Sequence, residues 1–327
     1  MPTPISNTRG ALLALTAFGL YATHDVVVKF LGSTYSPIQI IFFGGMFGFP
    51  LLAILLMSDK TDGHLRPRHP WWLALRSVAG VATAVAGFYA FSVLPMAQTY
   101  AILFAQPLLI TVLAIPMLGE KVGLRRGLAV VVGMIGVMIV LRPGGGDGLT
   151  WGHLAALSAG LTGALASIIV RKIGQEERSV VLMVYPMMVS FLAMAVAMPF
   201  VYKPMPVGHL GLLALFATLG FVATMILIAA YKAGEAVIVA PMQYSQIIWA
   251  AVFGAAFFNE YADQWTVVGT SVIIASGVYI VLREAAGGSS KTNPVLQSKS
   301  RPETGFLPRM VMRMGRAHGV AKDAGSV

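Results

Sequence analysis

Apolar positions along this chain gather into ten runs separated by short polar breaks, at about 10–31, 37–57, 71–93, 97–117, 124–141, 151–170, 179–200, 208–231, 237–258 and 264–282. Each approaches the ~20 residues that an α-helix needs to cross a bilayer core. Turn chemistry marks several breaks: Ser36-Pro37, Pro67-Arg68-His69-Pro70, Pro143-Gly144-Gly145-Gly146 and Pro204-Met205-Pro206. Trp71, Trp72, Trp151 and Trp265 stand at the starts of runs, where an indole prefers the membrane interface. The first run is too long, and its flank too weakly basic, for a cleaved signal peptide. The pattern predicts an all-α integral membrane protein with ten transmembrane helices.

The runs repeat. Gly136–Arg142 reads Gly-Val-Met-Ile-Val-Leu-Arg and Gly277–Arg283 reads Gly-Val-Tyr-Ile-Val-Leu-Arg. Upstream, Glu120 and Glu260 close apolar runs that each carry a glutamine fourteen residues earlier, Gln106 and Gln246. Gly10-x-Leu-x-Ala-Leu recurs from Gly152, which sets Lys29 against Arg171, and Leu73-Ala74-Leu75 with Gly80 recurs as Leu213-Ala214-Leu215 with Gly220. Internal repetition of this kind predicts two five-helix units, 1–142 and 150–283, followed by a basic tail over 284–327. Five is odd, so the second unit enters the bilayer from the other side, and the repeat is expected to be inverted.

Composition agrees with lipid as the solvent. The chain is 57% hydrophobic and 11% charged, with a mean hydropathy of +0.77, against about a quarter charged residues in a soluble domain. The absence of cysteine excludes disulfides, thiol catalysis and Cys-ligated metals. A net charge of +10 resembles a nucleic-acid signal until it is located, because eight Lys/Arg against three Asp/Glu follow Leu282. An anionic leaflet explains it without a nucleic-acid partner. The N-terminus, the even-numbered loops and the tail hold twenty Lys/Arg, whereas the odd-numbered loops hold only Lys29, Arg142 and Lys203. Positive-inside asymmetry predicts a cell (inner or plasma) membrane protein with both termini cytoplasmic. The tail is Gly/Ser-rich, and Met310, Val311 and Met314 with flanking arginines suit a short piece on the membrane surface.

Phe88-Tyr89-Ala90-Phe91, Pro107, Leu118-Gly119-Glu120-Lys121 and a Gly-rich fifth run resemble the repeat of the drug/metabolite transporter superfamily, in its ten-span branch with two EamA-type repeats. Tyr21-Ala22-Thr23 with Lys29 is similar to that family's first span, with Tyr-Ala where Trp-Gly is common; Phe258-Asn259-Glu260 departs from Leu-Gly-Glu in the second repeat. The resemblance covers about 10–283. It implies a transporter, closest to bacterial exporters of amino acids, including aromatic ones.

Charges inside a bilayer cost roughly 2.5–3.5 kcal/mol on insertion scales, so the few present are candidates for function. They are His24, Asp25, Lys29 and Arg76. Arg76 lies near a helix end and is expected to snorkel. Asp25 and Lys29 are spaced i, i+4 with the acid first, a favourable pair. Tyr21, His24, Asp25 and Val28 share one stripe. One reading makes that stripe a cavity wall, with His24 or Asp25 coupling to a proton or a substrate amine; the other makes Asp25–Lys29 a structural pair and gives His24 a neighbour to bond.

On a regular helix, Met242, Gln243, Gln246 and Trp249 fall on one face of the ninth span. Amides unsatisfied in lipid must turn to protein or water, so this face is expected to line a cavity, with helix–helix hydrogen bonding as the alternative. Tyr100 with Phe104, and Thr99 with Gln106, form adjacent stripes of the fourth span; Tyr89 in the third adds an aromatic candidate. Pro107 and Pro241 remove helix hydrogen bonds and are candidate hinges. Glu120 and Glu260 precede helices whose N-termini favour carboxylates and are read as structural groups or gate latches. Gly44-x-x-x-Gly48 suits helix packing within the chain.

With no nucleotide-binding loop, the expectation is a secondary transporter exporting amino acids or related small metabolites by alternating access. It acts as a monomer in the bilayer, with no cofactor. A multidrug or quaternary-cation exporter of the same fold is the alternative. A membrane enzyme or a non-transporting scaffold has less support, since one His-Asp pair on one helix makes no catalytic cluster.

Overall fold

The computed structural model describes residues 7–57, 66–120, 122–143, 149–174 and 176–285. Lys60, Lys121, the Gly144–Gly146 turn and the tail segment around Met310 lie outside the described residues. All regular structure among the described residues is helical: α1 (Asn7–Gly32), α2 (Pro37–Met57), α3 (Pro70–Val93), α4 (Met96–Leu103), α5 (Gln106–Leu118), α6 (Leu124–Leu141), α7 (Trp151–Ile173), α8 (Ser179–Val201), α9 (Val207–Ala233), α10 (Ala236–Val239), a 3₁₀ turn (Ala240–Tyr244), α11 (Ser245–Phe258) and α12 (Gln264–Ala285). Nine segments among these residues are long and apolar enough to cross a membrane, α4 and α5 together making one. The expected ninth span, 237–258, is cut into α10, the 3₁₀ turn and α11, so it is not found as one uninterrupted helix. Large apolar side chains such as Ile54, Val78, Val196 and Phe200 stand exposed on the outside, as a lipid-facing surface requires.

Local chemistry sets the boundaries. Pro70 opens α3, where its missing N–H would have no partner. Thr150 and His153 close a reciprocal cap on α7. Pro107 cannot bond back to Leu103 and its ring crowds that carbonyl, so the fourth span breaks between Leu103 and Gln106. Pro241 does the same to the ninth span, and the chain tightens into the 3₁₀ turn. Both breaks end just before the glutamines, Gln106 and Gln246.

Most of the large helix pairings correspond under exchange of the two halves. The extensive α1–α9 packing has its counterpart in α3–α7; α5–α7 corresponds to α1–α11, and α2–α9 to α3–α8. Three further contacts, α2–α8, α4–α11 and α6–α12, join each span to its own counterpart, while α1–α3, inside the first half, has no comparable α7–α9 match. Two of these crossings depend on bare backbone. A Cβ on Gly10 would sit 2.7 Å from Gly234 Cα, and one on Gly269 would sit 2.6 Å from Gly136 O. Only glycine permits such approach. Gly44 and Gly48 pack against Phe216 and Met187 of the same chain.

Contacts between loops sort into two groups. At one end, which we term the odd-loop end, Gln39 Nε2 donates to Lys203 O (2.6 Å), Tyr35 OH bonds His209 Nδ1 (2.7 Å) and Arg142 pairs with Asp263. At the even-loop end, Glu177 accepts from His69 N (2.5 Å), Lys172 Nζ donates to Met117 O (3.1 Å) and Asn7 Oδ1 accepts from Glu235 N (3.0 Å). This is the alternation expected when successive spans run in opposite directions.

Candidate functional site

Each end of the bundle carries an ion pair built on a matched cap. Gly119 takes a left-handed conformation (φ 67°, ψ 26°) after α5, and Asn259 takes nearly the same one (φ 55°, ψ 35°) after α11. Asparagine is among the few side chains that tolerate that region, which explains how Phe-Asn-Glu substitutes for Leu-Gly-Glu. The chain then turns back so that Glu120 N donates to Ala114 O (3.3 Å) and Glu260 N to Gly254 O (2.9 Å). Both carboxylates are thereby aimed into the bundle. Glu260 pairs with Lys29 at 2.8 Å and accepts from Met96 N (3.1 Å), while Glu120 pairs with Arg171. Lys29 also donates to Leu94 O (2.6 Å), tying α1 to the end of α3. Each pair therefore joins the first span of one half to the fourth span of the other. Lys29–Glu260 lies at the odd-loop end and Glu120–Arg171 at the even-loop end. Beyond its i, i+4 neighbour Asp25, Lys29 is held across the bundle, where Glu260 and two carbonyls converge on its ammonium.

One turn below Lys29, Asp25 is fully buried at the centre of a polar network. Its Oδ1 bonds His24 Nδ1 at 2.7 Å, and its Oδ2 accepts from Tyr100 OH. Gln246 Nε2 approaches the same Tyr100 oxygen at 3.4 Å. His24 stacks on Phe216 with centroids 4.0 Å apart, and Tyr21 OH bonds Thr224 Oγ1 at 2.7 Å. A line of rings runs away from this network: Phe91–Tyr100 (5.1 Å), Tyr100–Phe104 (5.9 Å) and Phe104–Tyr244 (5.1 Å). A buried carboxylate beside aromatic faces suits a cationic group, and the hydroxyl and amide around it suit a partner with both charges.

The other half repeats the scaffold without the charges. In the Gly10/Gly152 alignment, Tyr21, His24 and Asp25 correspond to Gly163, Ala166 and Ser167. Gln106 packs on Gly163 and its Nε2 bonds Ser167 Oγ at 3.4 Å, as Gln246 faces the Asp25 network. The chemistry is therefore concentrated at one of two equivalent places.

Tyr21, His24, Asp25, Tyr100, Phe104 and Gln246 are thus brought together, with Gln106 at the equivalent place. Others stand elsewhere. The expected common face of Met242, Gln243, Gln246 and Trp249 does not exist, because the 3₁₀ turn changes the angular step ahead of Ser245. Met242 packs into the α1–α9 cluster, while Trp249 is 37% exposed and stacks on Phe253. Gln243, in the same turn, is only half-buried. Thr99 Oγ1 donates to Pro95 O of its own helix, and Tyr89 is exposed beside Val93. Arg76 is half-buried, and its Nε and Nη1 are shielded with no hydrogen-bond partner. Sequence reasoning missed Phe216 and Thr224 as site neighbours; their spacing from Gly220 on α9 was the available signal.

A family model identifies the sequence that builds this bundle. The EamA-like transporter family matches residues 8–142 and 148–283. The chain belongs to this family. It is therefore a multi-pass membrane protein of a transporter family. Among curated relatives, an S-adenosylmethionine uptake transporter of Rickettsia prowazekii is 27% identical over 270 residues, 82% of this chain and 90% of that one. The pseudopaline exporter CntI of Pseudomonas aeruginosa is 25% identical over 273 residues, 82% of this chain and 94% of that one. These relatives are not specifically amino-acid exporters, so the closer resemblance expected from sequence is replaced by the family-level one. A solved crystal structure with 18% identity superposes with a TM-score of 0.54, covering 86% of this chain and 100% of that one, and shares the fold.

Proposed function

We propose that this EamA-family protein is a secondary transporter of small zwitterionic metabolites of the amino-acid class, working by alternating access between two inverted five-span halves. The observation that carries the proposal is the reciprocal pair of latches, Lys29–Glu260 and Glu120–Arg171, each linking opposite halves at opposite ends. With both closed, the Asp25–Tyr100–Gln246 network lies sealed between them; opening either pair exposes it to one side. The carboxylate of Asp25 is the partner for a substrate amine, Tyr100 and Gln246 orient the remaining polar groups, and the ring line from Phe91 to Tyr244 covers the apolar part. Twenty Lys/Arg at the even-loop end and tail support a cytoplasmic even-loop side, with the protein in the inner or plasma membrane. Relatives named for uptake and for export support a carrier whose direction is set by gradients; export is the direction we propose.

Reconstituted protein should exchange neutral or aromatic amino acids, or S-adenosylmethionine, across liposomes, and Tyr100→Phe and Gln246→Ala should impair exchange without loss of folding. Normal exchange by both variants would reject the site. A second reading, export of quaternary or other organic cations, is favoured by the burial of Asp25 against aromatic rings. Competition between a methylated cation and an amino acid for the same uptake separates the two.

A further inference from the structure

A cavity of about 70 Å³ lies between α1, α2, α8 and α9, to one side of the ring line. His24 forms part of its wall and also bonds Asp25, so one imidazole touches both the cavity and the central network. At 1.5 Å per residue His24 lies ~12 Å from the odd-loop end of α1, whereas the lining residues Leu52 and Thr224 lie ~22–25 Å from the odd-loop ends of α2 and α9. The cavity therefore extends from His24 away from the Lys29–Glu260 latch, toward the even-loop end. At that end its lining residues Leu52 and Met187 pack with Val180 and Met183, a plug of adaptable side chains.

Two glycines keep this space open. A Cβ on Gly48 would meet only Met187 Cε, at 3.8 Å, so the cavity is empty where that side chain would be. A Cβ on Gly220 would come within 3.3 Å of His24 Cδ2 and 3.5 Å of Nε2, covering the edge of the ring opposite its bond to Asp25. The polar side chains on the otherwise apolar wall are Thr224 and Tyr21, bonded to each other, and His24 one turn further on α1; behind His24, outside the wall, come Asp25 and Tyr100. One water needs only ~10–15 Å³ on the same volume measure, and these groups give it partners. Among the described residues, the titratable groups set around His24 include Asp25 and Tyr21 from α1 and, beyond Asp25, Tyr100 from α4. The faces from α2, α8 and α9 bring glycine, leucine, methionine, phenylalanine and Thr224, and Lys29 a turn above is held by Glu260.

We propose that this cavity is a proton-loading vestibule, in which water delivers a proton to His24 Nε2 while Nδ1 passes its own toward Asp25, so that protons reach the centre beside the substrate path. Imidazole suits this role because it accepts at one nitrogen and releases at the other near neutral pH. The inference deepens the transport reading, and its first test needs no substrate.

In that test the solubilised full chain, with a pH-indicator dye, is subjected to an acid jump. The wild type should show a proton-uptake phase that is lost in Asp25→Asn and slowed several-fold in Gly48→Val, with Gly48→Ala between. Gel filtration and helical circular dichroism check folding, and Gly48→Ala adds only an ordinary contact. An uptake phase unchanged in Asp25→Asn, or a wild-type rate in both folded Gly48 variants, overturns the proposal. In liposomes, exchange at equal pH should persist in Gly48→Val while stimulation by a pH gradient falls. Wild-type exchange that ignores a pH gradient also overturns it. Absence of any exchange by the wild type tells instead against the substrate reading, and the acid jump still decides the proton route.

Discussion

Lys29 and Glu260 meet at 2.8 Å across the bundle, and the carboxylate is delivered there by the left-handed residue before it, Asn259. The same arrangement, with Gly119 before Glu120 and Arg171 as the cation, closes the other end. One turn geometry, used twice and met by two different residues, thus places two charges that the sequence separates by 140 positions.

Asn259→Gly should therefore leave stability within about 0.5 kcal/mol, because glycine adopts φ 55° without strain. Asn259→Val should cost roughly 1–2 kcal/mol and loosen the Glu260 latch. Thermal unfolding in detergent, followed by helical signal, measures both. Equal stability of the two variants would contradict the cap assignment.

The latches should have opposite effects on access. Since the chain has no cysteine, single-cysteine reporters label without background. Glu260→Gln should raise labelling of Thr99→Cys from the odd-loop side, and Glu120→Gln should raise labelling of Ser167→Cys from the even-loop side. The double swap Lys29→Glu with Glu260→Lys should restore protection. Labelling that rises from the same side in both single variants would refute reciprocal gating.

Tyr100→Phe keeps the ring contacts with Phe91 and Phe104 but removes the hydroxyl bonded to Asp25. A hydrogen bond to a charged group contributes about 1.5–3 kcal/mol, so substrate affinity or stability should fall by that order. Tyr89→Phe, on the exposed flank, should be neutral in the same binding and melting assays.

The α6–α12 crossing predicts a contrast between glycines. Gly269→Ala forces a Cβ to 2.6 Å from Gly136 O, a backbone atom, and should cost about 1–3 kcal/mol. Gly80→Ala, with nothing within 4 Å, should change little. Melting temperatures of the two single variants check this directly.

Sequence alone determined the helical bundle in lipid. Hydrophobic length and low charge leave no other solvent, prolines and interfacial tryptophans mark the span ends, and motifs such as Glu120/Glu260 and Lys29/Arg171 reveal the repeat. These are local or periodic properties, readable one helix at a time. Partners were not. An i, i+4 spacing set Asp25 near Lys29, but no local pattern named the three acceptors from other elements that converge on that ammonium. The ninth-span face failed for a related reason: helical periodicity assumes a constant angular step, and Pro241 replaces it with a 3₁₀ turn before Gln246. Which side chains converge on Asp25, and which side of His24 faces open space, depends on how helices distant in sequence cross. Tertiary packing alone decided that.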